Sequence, residues 1–429
     1  MPFPRRTDDS RIFPVADNKT GRPHAFAYYD TISAVPAEWD HLVQGHSVFL
    51  RREYLQLLEE HGPPAVKPFY AIVSENDRPV AVVKVNIFDV DDEMLSVRDR
   101  TTYNAGLRPV RPFLDRNLTR MRNMSLGMFG RRIVLCGNLF SCGMHGVAFG
   151  RGEDPERLWP AVTTCLQNIL QSEGTAAYLA VKDVTPLEPG ITSSLAAAGF
   201  SPLRLEPSMD LHLPETWRTY ADYIDSLNTK YRKAANKIEE AIDRAGMRIE
   251  SLPDPAVVQD RLFSLYVQVE HRARIRFGML QEGYLPALAR MAGPDGFRCS
   301  VVRNHEEIVG FSAVFRDGNT AVVHLVGFDY EANSRAPVYL RLLLRSIEDG
   351  LALGCRVVHF GRTALEPKAR LGATPARTEA WVRHSNPLVN RTVGWLLRLV
   401  TEDAAPQRTP FRSGKGEGEY SGVGTTNME

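Results

Sequence analysis

Glu366 lies just beyond an apolar run, Arg356-Val-Val-His-Phe, that reads as a strand. Open α/β sheets bind ligands at the C-terminal ends of their strands, so a carboxylate there is the first candidate for a general base. The alternative is a surface carboxylate capping a turn before Pro367. Arg362 and Lys368 flank it and suit an anionic substrate, or else an ion pair with Glu366 itself. Tyr339 can donate a proton or hydrogen bond, and core packing is its other reading. His324 and His359 sit on adjacent candidate strands; an imidazole titrates near neutrality, although most strand histidines are structural. The expected catalytic set is Glu366, Tyr339 and His324. Cys355 begins a strand with no assured partner, so covalent catalysis is not expected.

Two basic patches stand out. Lys230, Arg232, Lys233 and Lys237 fall on one part of a helical segment and could hold a phosphate-bearing substrate; Glu239, Glu240 and Asp243 follow at helix-pair spacing, which fits a solvated face. The second, His271-Arg-Ala-Arg-Ile-Arg-Phe, matches no nucleic-acid fingerprint. Over the whole chain 52 basic and 51 acidic side chains nearly cancel, so no global field draws it to DNA or membranes. The expected substrate-binding residues are Arg362, Lys368, Lys230 and Arg232. The five cysteines form no CxxC pair and no His cluster of zinc-ligand spacing accompanies them, so no metal is expected.

The elements that must position these residues recur. Pro68-Phe-Tyr-Ala-Ile-Val-Ser and Pro79-Val-Ala-Val-Val-Lys-Val-Asn-Ile-Phe flank a polar turn, a hairpin signal. Phe297-Arg-Cys-Ser-Val-Val and Ile308-Val-Gly-Phe-Ser-Ala-Val-Phe repeat it. His145-Gly-Val-Ala-Phe then leads to a helix from about Pro155 to Gln171 and the strand Ala176-Ala-Tyr-Leu-Ala-Val; His324-Leu-Val-Gly-Phe leads likewise to a helix from about Pro337 to Leu353 and the strand containing His359. The two blocks align at a constant offset, so a duplicated α/β unit is the expected architecture. In the second helix Leu340, Leu343, Leu344, Ile347 and Leu351 mark one apolar face.

A chain of 429 residues exceeds one growing core, which predicts two domains. The expected boundaries are 1–213, with an insertion over about 90–132, then a helical connection at 214–246, a second domain at 247–403 and a disordered tail at 404–429. Trp217 to Ala245 reads as one long helix. The N-terminus, Met-Pro-Phe-Pro-Arg-Arg, lacks an apolar stretch of signal-peptide type, and no run nears the roughly 20 apolar residues of a membrane span, so the expected location is cytoplasmic, without stable membrane insertion. Val389 to Val400 is read as core packing in preference to membrane contact.

Two such units in series, with Val181-Lys-Asp-Val, Gly199-Phe, Leu227-Asn-Thr-Lys-Tyr-Arg-Lys and Phe360-Gly-Arg-Thr-Ala-Leu-Glu-Pro-Lys-Ala-Arg-Leu-Gly in this order, resemble the tandem GNAT arrangement of FemAB-like acyltransferases over most of residues 24–400. The resemblance implies an α/β fold with mixed sheets, two GNAT-like domains and an N-acyltransferase acting from acyl-CoA, acetyl-CoA first, onto a small-molecule or peptidoglycan-type amine. The strand at about Thr320 to Asp329 would splay from its neighbour beside the donor, and the following loop would hold phosphate at a helix N-terminus. That loop, Tyr330-Glu-Ala-Asn-Ser-Arg-Ala-Pro, lacks the family's glycines, so Asn333, Ser334 and Arg335 are the expected donor-binding residues. The acidic loop Arg151-Gly-Glu-Asp-Pro-Glu suits a donor less well. Two alternatives stay open: a Fem-type transferase using aminoacyl-tRNA on a cell-wall precursor, with Lys230 and its neighbours on the acceptor stem, and a non-catalytic GNAT-like binding protein. Neither acceptor nor oligomeric state is readable.

Overall fold

A computed structural model describes residues 11–15, 24–90, 131–174, 177–273, 278–397 and 406–412. The expected insertion falls almost wholly outside them, as do part of the His271 patch and the chain beyond 412.

The described chain forms two compact units that interleave. One comprises the described residues of Met1–Pro207, Pro255–Met291 and Ala376–Ala404, the other those of Ser208–Asp254, Ala292–Pro375 and Ala405–Glu429. The first unit holds β1 (Arg11–Val15), β2 (His24–Tyr29), β3 (Lys67–Glu75), β4 (Arg78–Asp89), β5 (Arg132–Cys136), β6 (Val147–Phe149), β7 (Ala177–Val184) and β8 (Ser201–Arg204). The second holds β9 (Ser208–His212), β10 (Met247–Ser251), β11 (Phe297–Asn304), β12 (Glu307–Asp317), β13 (Thr320–Phe328), β14 (Val357–His359) and β15 (Thr374–Ala376); β16 (Glu379–His384) returns to the first.

The sheet orders are β1-β2-β3-β4-β5-β7-β16-β8, with β6 also on β4, and β10-β11-β12-β13-β14-β9-β15. Each sheet is thus completed by a strand from the other half of the sequence: β9 beside β14, and β16 between β7 and β8. Both sheets are mixed, since β5 runs parallel to β7 and β13 parallel to β14 while the hairpins are antiparallel.

The duplicated pattern is present with one difference. In the second unit the helix Val338–Ala352 crosses between adjacent parallel strands, β13 and β14. In the first, the helix Pro155–Ser172 leads from β6 to β7, yet β7 pairs with β5. β6 has only three residues, and Arg132–Cys136 occupies the place beside β7. The loop before that helix is spent on the fold: Asp154 Oδ1 accepts from Glu156 N, and Glu153 pairs with Arg78 and Arg157.

The expected long helix is two, Tyr220–Ser226 and Thr229–Arg244. Leu227 is extended and bridges to Phe411, and Asn228 Oδ1 caps the second helix at Tyr231 N, because an Asn side chain competes with helical hydrogen bonding in midstream. Phe411 is not outside the fold, in contrast to the expected tail. Asn228 N donates to Pro410 O and Arg412 N to Ser226 O, while the Phe411 ring lies 5.5 Å from Trp217, tilted by 55°, and so close to Gly372 that a Cβ there would stand 2.1 Å from its Cζ.

The second core lies between the helix Val338–Ala352 and the sheet. Leu343, Leu344 and Ile347 are buried against Val314, Ala321 and Val358, each apolar side chain contributing about 1.5–3 kcal/mol. A Cβ on Gly310 would stand 2.6 Å from Val338 Cγ1, so this glycine on β12 lets the helix seat directly over the strand that neighbours β13. In the first unit, Val393 and Gly394 of the helix Pro387–Leu397 are buried, while Leu388 and Trp395 face outward.

Candidate functional site

β13 and β14 pair only at Thr320↔Val357, Ala321↔Val358 and Val322↔His359. β14 then stops, and the backbone turns through left-handed Gly361, Thr363 and Ala364. β13 continues to Phe328 alongside β12, with a bulge: Ala313 faces Leu325 and Val314 faces Val323, so His324 is the extra residue. Beyond Val322 the two parallel strands have parted. The outer edge of β13 from Val323 to Phe328 therefore offers main-chain groups to an extended ligand, as an exposed sheet edge does.

At the last shared rung, His359 Nδ1 and Asp210 Oδ1 of β9 are 2.6 Å apart. With Nδ1–H donated to the carboxylate, the neutral ring carries its lone pair on Nε2. Ala321, Val323 and Val358 belong to the core beneath the helix Val338–Ala352, so alternation puts Val322, His359 and Asp210 on the opposite face. His324 shares that face through its ring, which meets Phe315 edge-on at 5.3 Å. Burial pushes its imidazole down to about 4, so it is neutral at physiological pH but a feeble proton acceptor.

The loop after β14 is strained and braced. Thr363 and Ala364 at φ 65° and 47° each cost about 1–3 kcal/mol in a conformation that suits glycine. Lys368, buried at 3 % exposure, donates Nζ–H to the carbonyls of Phe360, Gly361 and Arg362 at 2.8, 3.2 and 2.7 Å. Its ammonium holds the loop's shape. Glu366 faces elsewhere: its carboxylate accepts from Arg370 Nε at 2.9 Å and from Arg408 Nη2 at 2.9 and 3.0 Å. Partial burial pushes its pKa up, but the two guanidinium groups outweigh that and hold it below the usual carboxylate range. A carboxylate in that setting accepts protons poorly.

The loop after β13 is the short helix Tyr330–Arg335, capped by Asp329 Oδ1 on Ala332 N. Asn333 Oδ1 accepts from Tyr339 N at 2.9 Å, taking up one of the amides at the start of the helix Val338–Ala352, and Ser334 Oγ donates to Glu331 O. Arg335 is 58 % exposed and meets only the exposed Glu331, at 3.4 Å, among the ion pairs of the described residues. The Tyr339 ring lies 5.5 Å from Phe328, at the far end of the open strand.

Lys230, Lys233 and Lys237 are exposed on the helix Thr229–Arg244, while Arg232 is half-buried. Glu239 binds the Tyr220 hydroxyl and Arg341 instead of these lysines, and Lys230 rests over the Tyr231 ring. The structure thus brings His324, His359, Asp210 and Tyr339 to the splayed strands and Asn333, Ser334 and Arg335 to the loop after them, but ties Glu366 and Lys368 into the fold. Asp210 and Arg408 were missed from the sequence; the alternation of polar Asp210 with buried Met209 and Leu211 was the available signal for the first.

Residues 226–369 match the family described as Acetyltransferase (GNAT) domain. The chain carries a GNAT domain. The match spans the helix Thr229–Arg244, the hairpin, the splayed strands and the braced loop. FemX shares the fold, at 9% identity, 83% of this chain, 98% of that chain and a TM-score of 0.50. Also similar are a tandem GNAT protein from the clavulanic acid biosynthesis pathway, at 14% identity, 88% and 99% coverage and TM-score 0.44, and L-PGS from Bacillus licheniformis, at 13%, 80% and 95%, and 0.40. A search of the curated proteins found no match. The GNAT domain and the second, similarly built unit make the fold the tandem mixed-sheet α/β arrangement expected from the sequence. Among the described residues no helix is long and apolar enough to cross a membrane.

Proposed function

We propose that the GNAT domain transfers an acyl group from acyl-CoA, acetyl-CoA first, to the amine of a small-molecule or peptidoglycan-type acceptor. The parting of β13 and β14 beyond Val322↔His359 carries this reading, because it leaves a main-chain edge for the donor's extended arm beside an accessible cation. Arg335 meets a donor phosphate by its side chain, and Asn333, whose Oδ1 already orders the helix start, offers Nδ2. This substitutes side chains for the backbone cradle that a glycine-rich turn would provide.

The neutral amine attacks the thioester carbonyl, forming the C–N bond as the C–S bond breaks. The proton lost by nitrogen goes to the His359 imidazole, with Asp210 holding the ring, and the departing thiolate takes a proton from solvent. Glu366, the first candidate from sequence, gives up that role because two arginines occupy it. His324 acts as an uncharged wall.

Calorimetric titration of the full chain with acetyl-CoA gives saturable 1:1 binding, weakened about tenfold in Arg335→Ala, the scale of one charge-assisted contact. Absence of acetyl-CoA binding in the wild type sinks the reading. The exposed Lys230, Lys233 and Lys237 favour one second reading, an aminoacyl-tRNA donor. It predicts charged tRNA binding that falls steeply with salt and is lost with those lysines.

A further inference from the structure

The helix Pro387–Leu397 of the first unit is anchored along one side and apolar along the other. Asn386 Oδ1 caps its start by accepting from Leu388 N at 2.9 Å. Asn390 Oδ1 accepts from His384 N and its Nδ2 donates to Gly199 O, both at 2.8 Å. Val393 and Gly394 are buried, and a Cβ on Gly394 would stand 2.6 Å from Ser201 Oγ, so the helix rests directly on β8. These contacts fix which side faces out. The core packing expected of Val389 to Val400 holds for the inner side of this helix only; residues 398–400 lie outside the described chain.

Leu388, Arg391, Thr392 and Trp395 follow one another at helix-neighbour spacing on the side opposite Asn390, Val393 and Gly394. Leu388 is 81 % and Trp395 61 % exposed, and Arg391 and Thr392 between them are exposed too. Single exposed apolar side chains are ordinary on a protein surface, but a Leu and a Trp two turns apart on one helix face form a stripe. Thr392 Oγ1 donates to Leu388 O at 3.4 Å, which turns its hydroxyl back on the helix. Arg391 forms no ion pair among the described residues. From Ala380 to Leu397 the sequence holds Arg383, His384 and Arg391 and no acidic residue, within a chain whose charges otherwise nearly cancel.

Size and charge decide what such a face suits. A helix of 11 residues is about 16 Å long and about 10 Å across, so one side offers on the order of 160 Å², against about 800 Å² per partner in a stable protein interface. That is too little to hold a second copy or another folded protein. A lipid surface asks for less: Leu and Trp side chains that enter the headgroup region, and a cation for the anionic phosphates. We propose that this helix seats the protein on an anionic bilayer, lying in the plane of the surface with Leu388 and Trp395 inserted and Arg391 against lipid phosphate. The contact is peripheral and reversible, since two anchors and a cation hold far more weakly than a spanning helix. It does not depend on the donor site of the GNAT domain.

The tryptophans provide a direct probe. The chain has five, and Trp39, Trp159, Trp217 and Trp381 are at most 7 % exposed, so a change of emission on adding vesicles reports Trp395 in the wild-type protein. The full chain is mixed with vesicles of phosphatidylcholine, with and without about one quarter phosphatidylglycerol, at about 0.1 M and about 1 M salt, where charges are screened beyond about 10 and 3 Å. Flotation measures binding, and lipids brominated on their acyl chains measure insertion by quenching.

The expected result is flotation with the anionic vesicles, at least about fivefold tighter than with neutral ones at the lower salt, and a difference that shrinks at the higher salt and is mostly removed by Arg391→Gln. Trp395 emission moves to shorter wavelength and is quenched by the brominated lipids. The double variant Leu388→Ser, Trp395→Ser binds at least about tenfold more weakly, with an unchanged melting temperature because both side chains point outward. No flotation of the wild type overturns the proposal. So does flotation with Trp395 emission unaltered, which places the contact elsewhere, for instance on the lysines of the helix Thr229–Arg244. Sedimentation that shows wild-type dimers without lipid and a monomeric double variant makes the face an interface between copies and overturns it too. The emission and quenching results come from wild-type protein, so they decide the matter even where the double variant fails to fold.

Discussion

His359→Gln lowers kcat for acetyl transfer by about 10²- to 10⁴-fold, the range set by loss of a positioned general base, and leaves the acetyl-CoA dissociation constant within about threefold. The split follows from position. His359 stands where β13 and β14 last pair, on the face away from the helix Val338–Ala352, whereas Asn333, Ser334 and Arg335 lie beyond the other end of the open edge. Asp210→Asn retains the shape and removes the charge opposite Nδ1, so it lowers kcat in the same direction and by less. Glu366→Gln, in contrast, leaves kcat within about twofold, since its carboxylate serves Arg370 and Arg408. Steady-state and single-turnover rates on the three variants decide between them. Full activity in His359→Gln with a large loss in Glu366→Gln restores the carboxylate as base.

Lys368→Met destabilises the second unit by about 3 kcal/mol, because three carbonyls lose a charged donor and two of those contacts are short. The effect extends to the loop itself. Thr363 and Ala364 hold left-handed conformations only while their surroundings compel them, and the ammonium on Phe360, Gly361 and Arg362 braces the segment that leads into them. With it gone, Gly361 to Ala364 relaxes and the adjoining His359 loses its place, so activity falls further than stability alone accounts for. Chemical denaturation measures the first effect, and turnover at a temperature where the variant is fully folded measures the second. Lys368→Arg, with its longer and planar head, rescues only in part. Unchanged stability in Lys368→Met removes the bracing role.

The hairpins, the apolar face of the helix Val338–Ala352 and the strand bearing His359 were legible because each is a local pattern of period 2 or 3.6. The break at Leu227 and Asn228 was local too, but its decisive partner, Phe411, lies far along the chain. β9 and β16 illustrate the same limit more sharply. Each is a short strand whose alternation is readable, yet which sheet takes it depends on long-range pairing that leaves no mark in either segment. At the site, His324 and His359 announced themselves by type. Asp210 did not, because a carboxylate is read as solvated until the strand opposite it is known, and Glu366 was favoured because Arg408 sits in a segment without apolar periodicity. Lys84 was in plain view as a lone charge in an apolar strand, and its burial shows only in the fold.

The proposed chemistry depends most directly on the donor taking its seat along the open edge of β13. Amide hydrogen exchange of the full chain, with and without saturating acetyl-CoA, reads that edge residue by residue. Slowed exchange concentrated in Val323–Phe328 and at the start of the helix Val338–Ala352, with the rest of the second sheet unchanged, is the predicted result. Acetyl-CoA that binds and protects the first unit while leaving 323–328 exchanging as before contradicts it.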